Sequence, residues 1–597
     1  ILEMERALSD GLSIPNELDG HVACSMFMGL MYSQPQHPKM TYWAERVWQI
    51  VLNSQDMQLC VKIVPHLVLY YSWWHTELSK AEIILNALRP HIDREAVPPL
   101  VRITWYVMSA IFYWMMAETK ECIAAADKGL ALAKETGVYV WDMLLCSQGV
   151  FATLFNDDAD SAEPYFHQME NIPKQSRTLD ENWHYYLNTA RYLFRNELSK
   201  AHEYIQTSVA MIEEGGWIWA IPHTWIGHSL VLFYEGSRDE AIDMIRKARD
   251  KKMTLYLSPT HEFLSYLVEA EFALQEGDEA ACLNLLRSFT AICKRHNLFY
   301  WPWWRSDVMA RLCAKALEHN IEPDYVMATI KKRGLLPPKG EAAPDAWPLP
   351  LRIYTLGRFN VLIDNKPLRF TGKVQKKPLE LLKALLSLEG RNVSEGQITD
   401  ALWPESEGDV SHISFKTTLH RLRQLLGAEN ALEFNEGRLT LVQRYCWVDV
   451  WAFERLLYDG ESQWRKGNLE GAVRLTEKAV NMYRGHFLST EGEKAIAAHL
   501  KERLRDKFLK AVKTLGVYYE NSGEIKKSIE LFQKGLEIDK LSEELYLHLI
   551  KCHLKLGQKA DALMVYKRCE KTLFESFGLE PSAETKALYQ KIVNNKE

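Results

Sequence analysis

At 597 residues the chain is too long for one hydrophobic core, and three or four domains are expected. Its 47% hydrophobic and 25% charged residues fit a globular protein, while the net charge of −6 gives no global pull toward nucleic acid. Any nucleic-acid function must therefore be local.

Ten cysteines are scattered singly, with no CxxC and no metal-ligand spacing, and read as buried thiols in a reducing compartment. No apolar run approaches the ~18 residues of a membrane span, and no signal peptide opens the chain. A cytoplasmic protein with no membrane partner, no metal and no cofactor is expected. The chain begins at Ile1 rather than Met, so a fragment of something longer is expected.

From His21 to about Arg333 the apolar residues follow a helical period without hairpin signals. A small residue opening the second helix of a pair recurs at Ala44, Ala81, Cys122, Ala162, Ala201, Ala241 and Cys282, at intervals of 37 to 41 residues. Two of these sites share the string ELSKA (Glu77–Ala81 and Glu197–Ala201). Asn196, Gly236 and Gly277 stand five residues before the small position, where a helix-to-helix turn needs a left-handed residue. The expectation for 1–333 is a stack of helical hairpins, each burying its apolar face only against its neighbours. It resembles the tetratricopeptide-type solenoid of MalT-like bacterial regulators, in a ~40-residue form. As a sensor it would take an unknown small-molecule or protein effector. Among its many tryptophans, the pair Trp217/Trp219 and the string Trp301, Trp303 and Trp304 are the candidate ligand surface. Packing in the wedge between hairpins is the alternative for such large rings.

Residues 334–350 are proline-rich and read as an extended linker. Short alternating runs at Leu351–Leu356, Phe359–Ile363 and Leu368–Phe370 then suggest a small antiparallel sheet. Helices follow at Pro378–Leu388 and from a Ser394 cap through Trp403, with Pro404 ending the second. A third is expected at Asp409–Leu426, with Phe415, Leu419, Leu422 and Leu426 on one face. Its other face carries Lys416, Thr417, His420, Arg421 and Gln424, with Arg423 at the edge and no acid between. Leu432–Phe434 and Leu439–Val442 flank the turn Asn435-Glu436-Gly437-Arg438. Between Leu351 and Val448 there are 14 Lys and Arg against 11 Asp and Glu, a net of +3 in an acidic chain.

Sheet, three helices and a hairpin make a winged helix-turn-helix, whose third helix is the recognition helix and whose hairpin is the wing. The segments LRIYTLGRFNVLIDNKPL, VSEGQITDALWP and FKTTLHRLRQLLG together resemble the OmpR-type DNA-binding domain of the SARP family of bacterial activators, across about 100 residues (351–447). The resemblance implies that Lys416, Thr417, His420, Arg421 and Gln424 face the major groove, Arg and Gln being able to make bidentate contacts to guanine and adenine edges. It assigns Arg423, Lys376, Lys377, Arg438 and Arg444 to phosphate or minor-groove contacts, which position without specifying. Pairing of Arg421 or Arg423 with an acid of the domain is the competing reading. His420 departs from the small polar residue common in the family, so base specificity is not carried over. The loop 404–410, with Glu405, Glu407 and Asp409, corresponds to the segment that in this fold can meet RNA polymerase; a plain solvated loop is the alternative.

From Val448 the helical theme returns. Gly467, Gly523 and Gly557 each precede a small position by five, at Ala472, Ser528 and Ala562, and Gly523 to Gly557 is the 34-residue tetratricopeptide period. Leu515, Gly516 and Tyr519 match its LGxxY element. YRGHFL (483–488), LKERLRDKFLKAV (500–512) and FGLEPSAETKALYQKI (577–592) resemble the bacterial transcriptional activation domain that follows the winged helix in SARP proteins. That resemblance implies packing on the DNA-binding domain, dimerisation and activation.

No GxxxxGK[ST], HExxH, GxSxG or GxGxxG in a strand-to-helix context is found, so the chain is not expected to be an enzyme. The reading is a signal-responsive bacterial transcription activator, mainly α, with promoter DNA, RNA polymerase and a second copy as partners. A tetratricopeptide scaffold that does not read DNA is one alternative. The regulatory half of a larger nucleotide-hydrolysing switch protein, whose catalytic domain precedes Ile1, is another.

Overall fold

The computed structural model describes residues 16–594, apart from 54–56, 93–96, 173–177, 216–219, 251–257, 340–343, 345, 369–375, 406–407 and 490–494. The chain divides into two compact units, 1–347 and 348–597. It is mainly α-helical, and no helix among the described residues is long and apolar enough to cross a membrane.

Unit 1 is an array of antiparallel helix pairs running from Asn16 to Arg333. Ala81, Cys122, Ala162, Ala201 and Ala241 each fall in the first turn of a pair's second helix and are wholly buried. At Ala44 and Cys282 the exposure is 1%. A side chain of that size lets the two helices of a pair close on each other. The turn five residues earlier is left-handed at Asn196, Gly236 and Gly277, with φ of 60°, 98° and 77°. It is equally left-handed at Thr76, Ala117 and Asp157, with φ of 56°, 58° and 58°. Asp157, like Asn196, tolerates that region, but Thr76 and Ala117 carry no turn signal of their own, so packing of the pair imposes the geometry there at a local cost.

The 334–350 stretch holds no helix or strand among its described residues. It is not a bare spacer, because Leu335, Pro337, Pro338, Trp347 and Leu349 are buried.

Unit 2 opens with strands β1 (Leu351–Tyr354), β2 (Asn360–Ile363) and β3 (Lys366–Pro367). The left-handed Asp364 and Asn365 turn β2 into β3, so the third strand begins before Leu368; Arg369 and Phe370 lie outside the described residues. Three helices follow: α1 (Lys376–Ser387), α2 (Glu395–Leu402) and α3 (Gly408–Leu426). Between α1 and α2 lies the short strand β4 (Val393–Ser394). Ser394 and Gln397 form a reciprocal capping box that starts α2. Strands β5 (Leu432–Asn435) and β6 (Arg438–Leu441) form the hairpin, and β7 (Cys446–Val448) closes the domain. Glu436 and Gly437, with φ of 48° and 72°, make the tight hairpin turn that the sequence Asn-Glu-Gly-Arg suggests. The sheet orders are β3-β2-β1-β7 and β4-β6-β5. In the first, β7 lies parallel to β1, Leu351 facing Cys446 and Ile353 facing Val448.

Helix α4 (Asp449–Arg465) starts directly from β7, and further helix pairs run to Asn594. Ala472, Ser528 and Ala562 are wholly buried, and Gly467, Gly523 and Gly557 are left-handed. Gly516 is a close approach: a Cβ there would lie 2.4 Å from the Phe532 ring.

The winged helix and the helices after it share one hydrophobic core, running from Leu351 through Leu385 and Leu419 to Leu504 and Phe532. Backbone pairing reinforces it. Gly357 N–H donates to the His486 carbonyl (3.1 Å), Leu488 N–H to Thr355 (2.8 Å) and Ser489 N–H to Gly357 (3.1 Å). The YRGHFL segment is thus laid against the end of β1. Gly485 makes a close approach there, since a Cβ would lie 3.3 Å from the Gly357 Cα.

Asp449, 2% exposed, fastens the same junction. Its carboxylate accepts from Thr355 N–H and Oγ1 (2.6 Å each), from Leu356 N–H (2.7 Å) and from Val450 N–H (2.8 Å). Burial raises its pKa, and these donors oppose the rise. Asp449→Asn would turn an NH2 group toward some of these donors. The expected loss is on the order of 3 kcal/mol of unit 2 stability, measured by denaturant unfolding; a change near zero would contradict this role.

Candidate nucleic-acid interface

Helix α3 is held from behind. Phe415 and Leu422 are wholly buried, Leu419 is 3% and Leu426 1% exposed, and the Phe415 ring meets Phe434 of the hairpin at 5.2 Å. Each such side chain contributes roughly 1.5–3 kcal/mol by leaving water. One face of the helix is thereby committed to the core, and the orientation of the other is fixed.

That other face carries Lys416, Thr417, His420, Arg421 and Gln424, all exposed. None of the five has a hydrogen-bond or ion-pair partner among the described residues. Two residues that the periodicity did not single out extend the same stripe: Val410 is 58% and Ile413 65% exposed. Their spacing of three and four from each other and from Lys416 and Thr417 carries that signal. From Val410 to Gln424 the stripe is about 21 Å long at 1.5 Å per residue, and it holds no acid. It combines a cation, a guanidinium, an amide, an imidazole and two aliphatic groups. These can serve guanine, adenine and thymine-methyl edges.

The residues expected to touch phosphate divide. Arg423 is half-buried and donates from Nε (3.2 Å) and Nη2 (2.7 Å) to the Leu432 carbonyl, fastening α3 to the hairpin. Two of its five N–H donors are thus engaged within the fold. Lys377 donates to the Leu402 carbonyl (3.2 Å) and lies 3.2 Å from Glu380. Arg444 is half-buried. Lys376 is exposed, as is Arg438, which donates to the Asn392 carbonyl (3.1 Å). Because Glu436 stands beside Arg438 at the wing tip, the wing adds little net positive charge.

Glu405 is exposed in the loop before α3 and Asp409 is exposed in the first turn of α3 itself, while Glu407 lies outside the described residues. Trp217 and Trp219 also lie outside them. Trp301, Trp303 and Trp304 are 0%, 5% and 1% exposed, which corrects their reading as a ligand surface. They are core. Trp301 meets Phe289 at 5.1 Å and Trp304 at 5.0 Å, while the Trp303 ring fills the space that a Cβ on Gly227 would need.

Residues 448–593 match the family model described as bacterial transcriptional activator domain. Among curated proteins, regulatory protein AfsR of Streptomyces griseus is 26% identical over 218 residues, 36% of this chain and 22% of that protein. Regulatory protein AfsR of Streptomyces coelicolor is 25% identical over 244 residues, 41% of this chain and 24% of that protein. The match thus spans under a quarter of the length of these relatives. Among solved structures, Mycobacterium tuberculosis EmbR in complex with a low-affinity phosphopeptide is 21% identical, covering 42% of this chain and 66% of that one, at a TM-score of 0.35. The family match places a bacterial transcriptional activator domain at 448–593, and the two relatives are similar to part of the chain.

Proposed function

We propose that the chain is a signal-responsive bacterial transcription activator that binds promoter DNA through α3 and the β5–β6 wing. The observation that carries this reading is the acid-free, exposed stripe, unpartnered among the described residues, on a helix whose back is core. Lys416, Thr417, His420, Arg421 and Gln424 read base edges, with Val410 and Ile413 against thymine methyls. Lys376 and Arg438 touch the backbone. Glu405, Glu407 and Asp409 offer an acidic surface to RNA polymerase, and the chain acts as a homodimer on DNA. Unit 1 takes the effector, and the whole is a cytoplasmic, non-enzymatic regulator.

A salt titration of DNA binding tests it. Each phosphate neutralised contributes a slope of about −0.9 to log K against log salt, and two to four such contacts per protomer are expected from the cations placed here. A flat response would overturn the reading. It would instead favour protein docking on α3, for which the exposed Val410 and Ile413 are equally suited.

A further inference from the structure

Unit 1 contains a cavity of about 340 Å³ between its early helices, lined by Trp73, Trp74, Trp141 and Trp183 with His66 and Gln148 among the polar neighbours. That volume lies within the roughly 300–1,000 Å³ of small-molecule sites. The backbone is unusual at the same place. Tyr70–Trp74 form a π-helical turn, which sets the consecutive Trp73 and Trp74 at the cavity; such turns concentrate at functional positions.

The lining is neutral. No carboxylate, ammonium or guanidinium group belongs to it among the described residues. Burial pushes His66 down to about 4, and it shares a hydrogen bond of 2.9 Å with the hydroxyl of Tyr32, a residue that is 49% exposed. The Trp141 indole N–H is spent on Thr104 Oγ1 at 2.8 Å. A charged guest would lose its hydration here without compensation, whereas flat aromatic faces suit a flat guest.

A void of about 10 Å³ lies behind the cavity, and Trp73 and Trp183 line both spaces. At this inner end His223, 4% exposed, has no hydrogen-bond partner for either ring nitrogen among the described residues, and neither has the Trp73 indole N–H, in a side chain 9% exposed. Buried polar groups are normally satisfied, and the space suits one polar atom.

We propose that this cavity binds an uncharged, flat, mostly apolar small molecule, with one polar end group directed between Trp73 and Trp183 toward His223. The proposal rests on the reading of unit 1 as the effector-binding part and deepens it by fixing the place and chemistry of the guest. Equilibrium dialysis of the full chain against 2-naphthol, naphthalene and naphthalene-2-sulfonate tests it. Dialysis without DNA keeps this test separate from the DNA-binding reading. Saturable one-to-one binding of 2-naphthol is expected, with the sulfonate about tenfold weaker or more. Leu144, half-buried at the cavity wall, offers a filling variant: Leu144→Trp should weaken 2-naphthol by about tenfold or more with an unchanged far-UV spectrum. His223→Phe should erase the preference for 2-naphthol over naphthalene. Absence of saturable 2-naphthol binding, undiminished binding by Leu144→Trp, or a preference that survives His223→Phe would each overturn the proposal. The last outcome would leave a single buried water as the partner of His223.

Discussion

Replacing Lys416 and Arg421 together by alanine is expected to weaken promoter-DNA binding by about a hundredfold, a lost bidentate base contact being worth ~1–3 kcal/mol and the second cation adding to it. Both side chains are exposed and unpartnered among the described residues, so the folded state loses nothing that it uses. The melting temperature should stay within a few degrees of the parent. The salt slope should change little, because these two cations are placed at base edges and not on phosphates. Arg423→Ala is the informative contrast. Its guanidinium donates twice to the Leu432 carbonyl, so its loss should appear first as instability. Electrophoretic retention across a salt series separates these outcomes, and undiminished retention by the double variant would sink the proposed interface.

Trp301→Ala should cost unit 1 about 3–5 kcal/mol, as large-to-small changes of fully buried aromatics do. The ring is wholly buried and packed by Phe263, Phe289 and Trp304, so its removal leaves a void that this crowded site cannot readily close. Denaturant unfolding followed by circular dichroism measures the loss. A variant of unchanged stability with weakened effector response would restore the ligand-surface reading that burial argues against.

What was legible in the sequence follows from period and turn chemistry. The 3.6-residue spacing of Phe415, Leu419, Leu422 and Leu426 fixed the back of α3, and hence its front. The Glu436-Gly437 turn and the Ser394 cap announced themselves by residue type. The small residues of the helix pairs were visible because they recur. The tryptophans misled because composition says how much aromatic surface must be buried and not where. Trp303 even adopts a left-handed φ of 63° to bring its ring against Gly227. The fastening role of Arg423 went unseen for a similar reason: its partner is a carbonyl in a strand nine residues on, and backbone carbonyls carry no sequence signal. The pairing of β1 with β7 was also invisible. It joins strands of four and three residues across nearly the whole domain, and so short a parallel contact has no local pattern.

Asp449 has one further consequence, for how such proteins are inherited. It stands one residue inside the segment that matches the activator-domain family, while Thr355 and Leu356, which donate to it, lie 94 and 93 residues earlier. A recombination joint at Val448 would import an unfamiliar acid beneath someone else's strand, and would part the YRGHFL glycine from the Gly357 it has to pass. Shuffling of this reader between lineages is therefore expected to use crossovers upstream, in the proline-rich stretch before Leu351. DNA reading and activation would then descend together as a single exchangeable cassette.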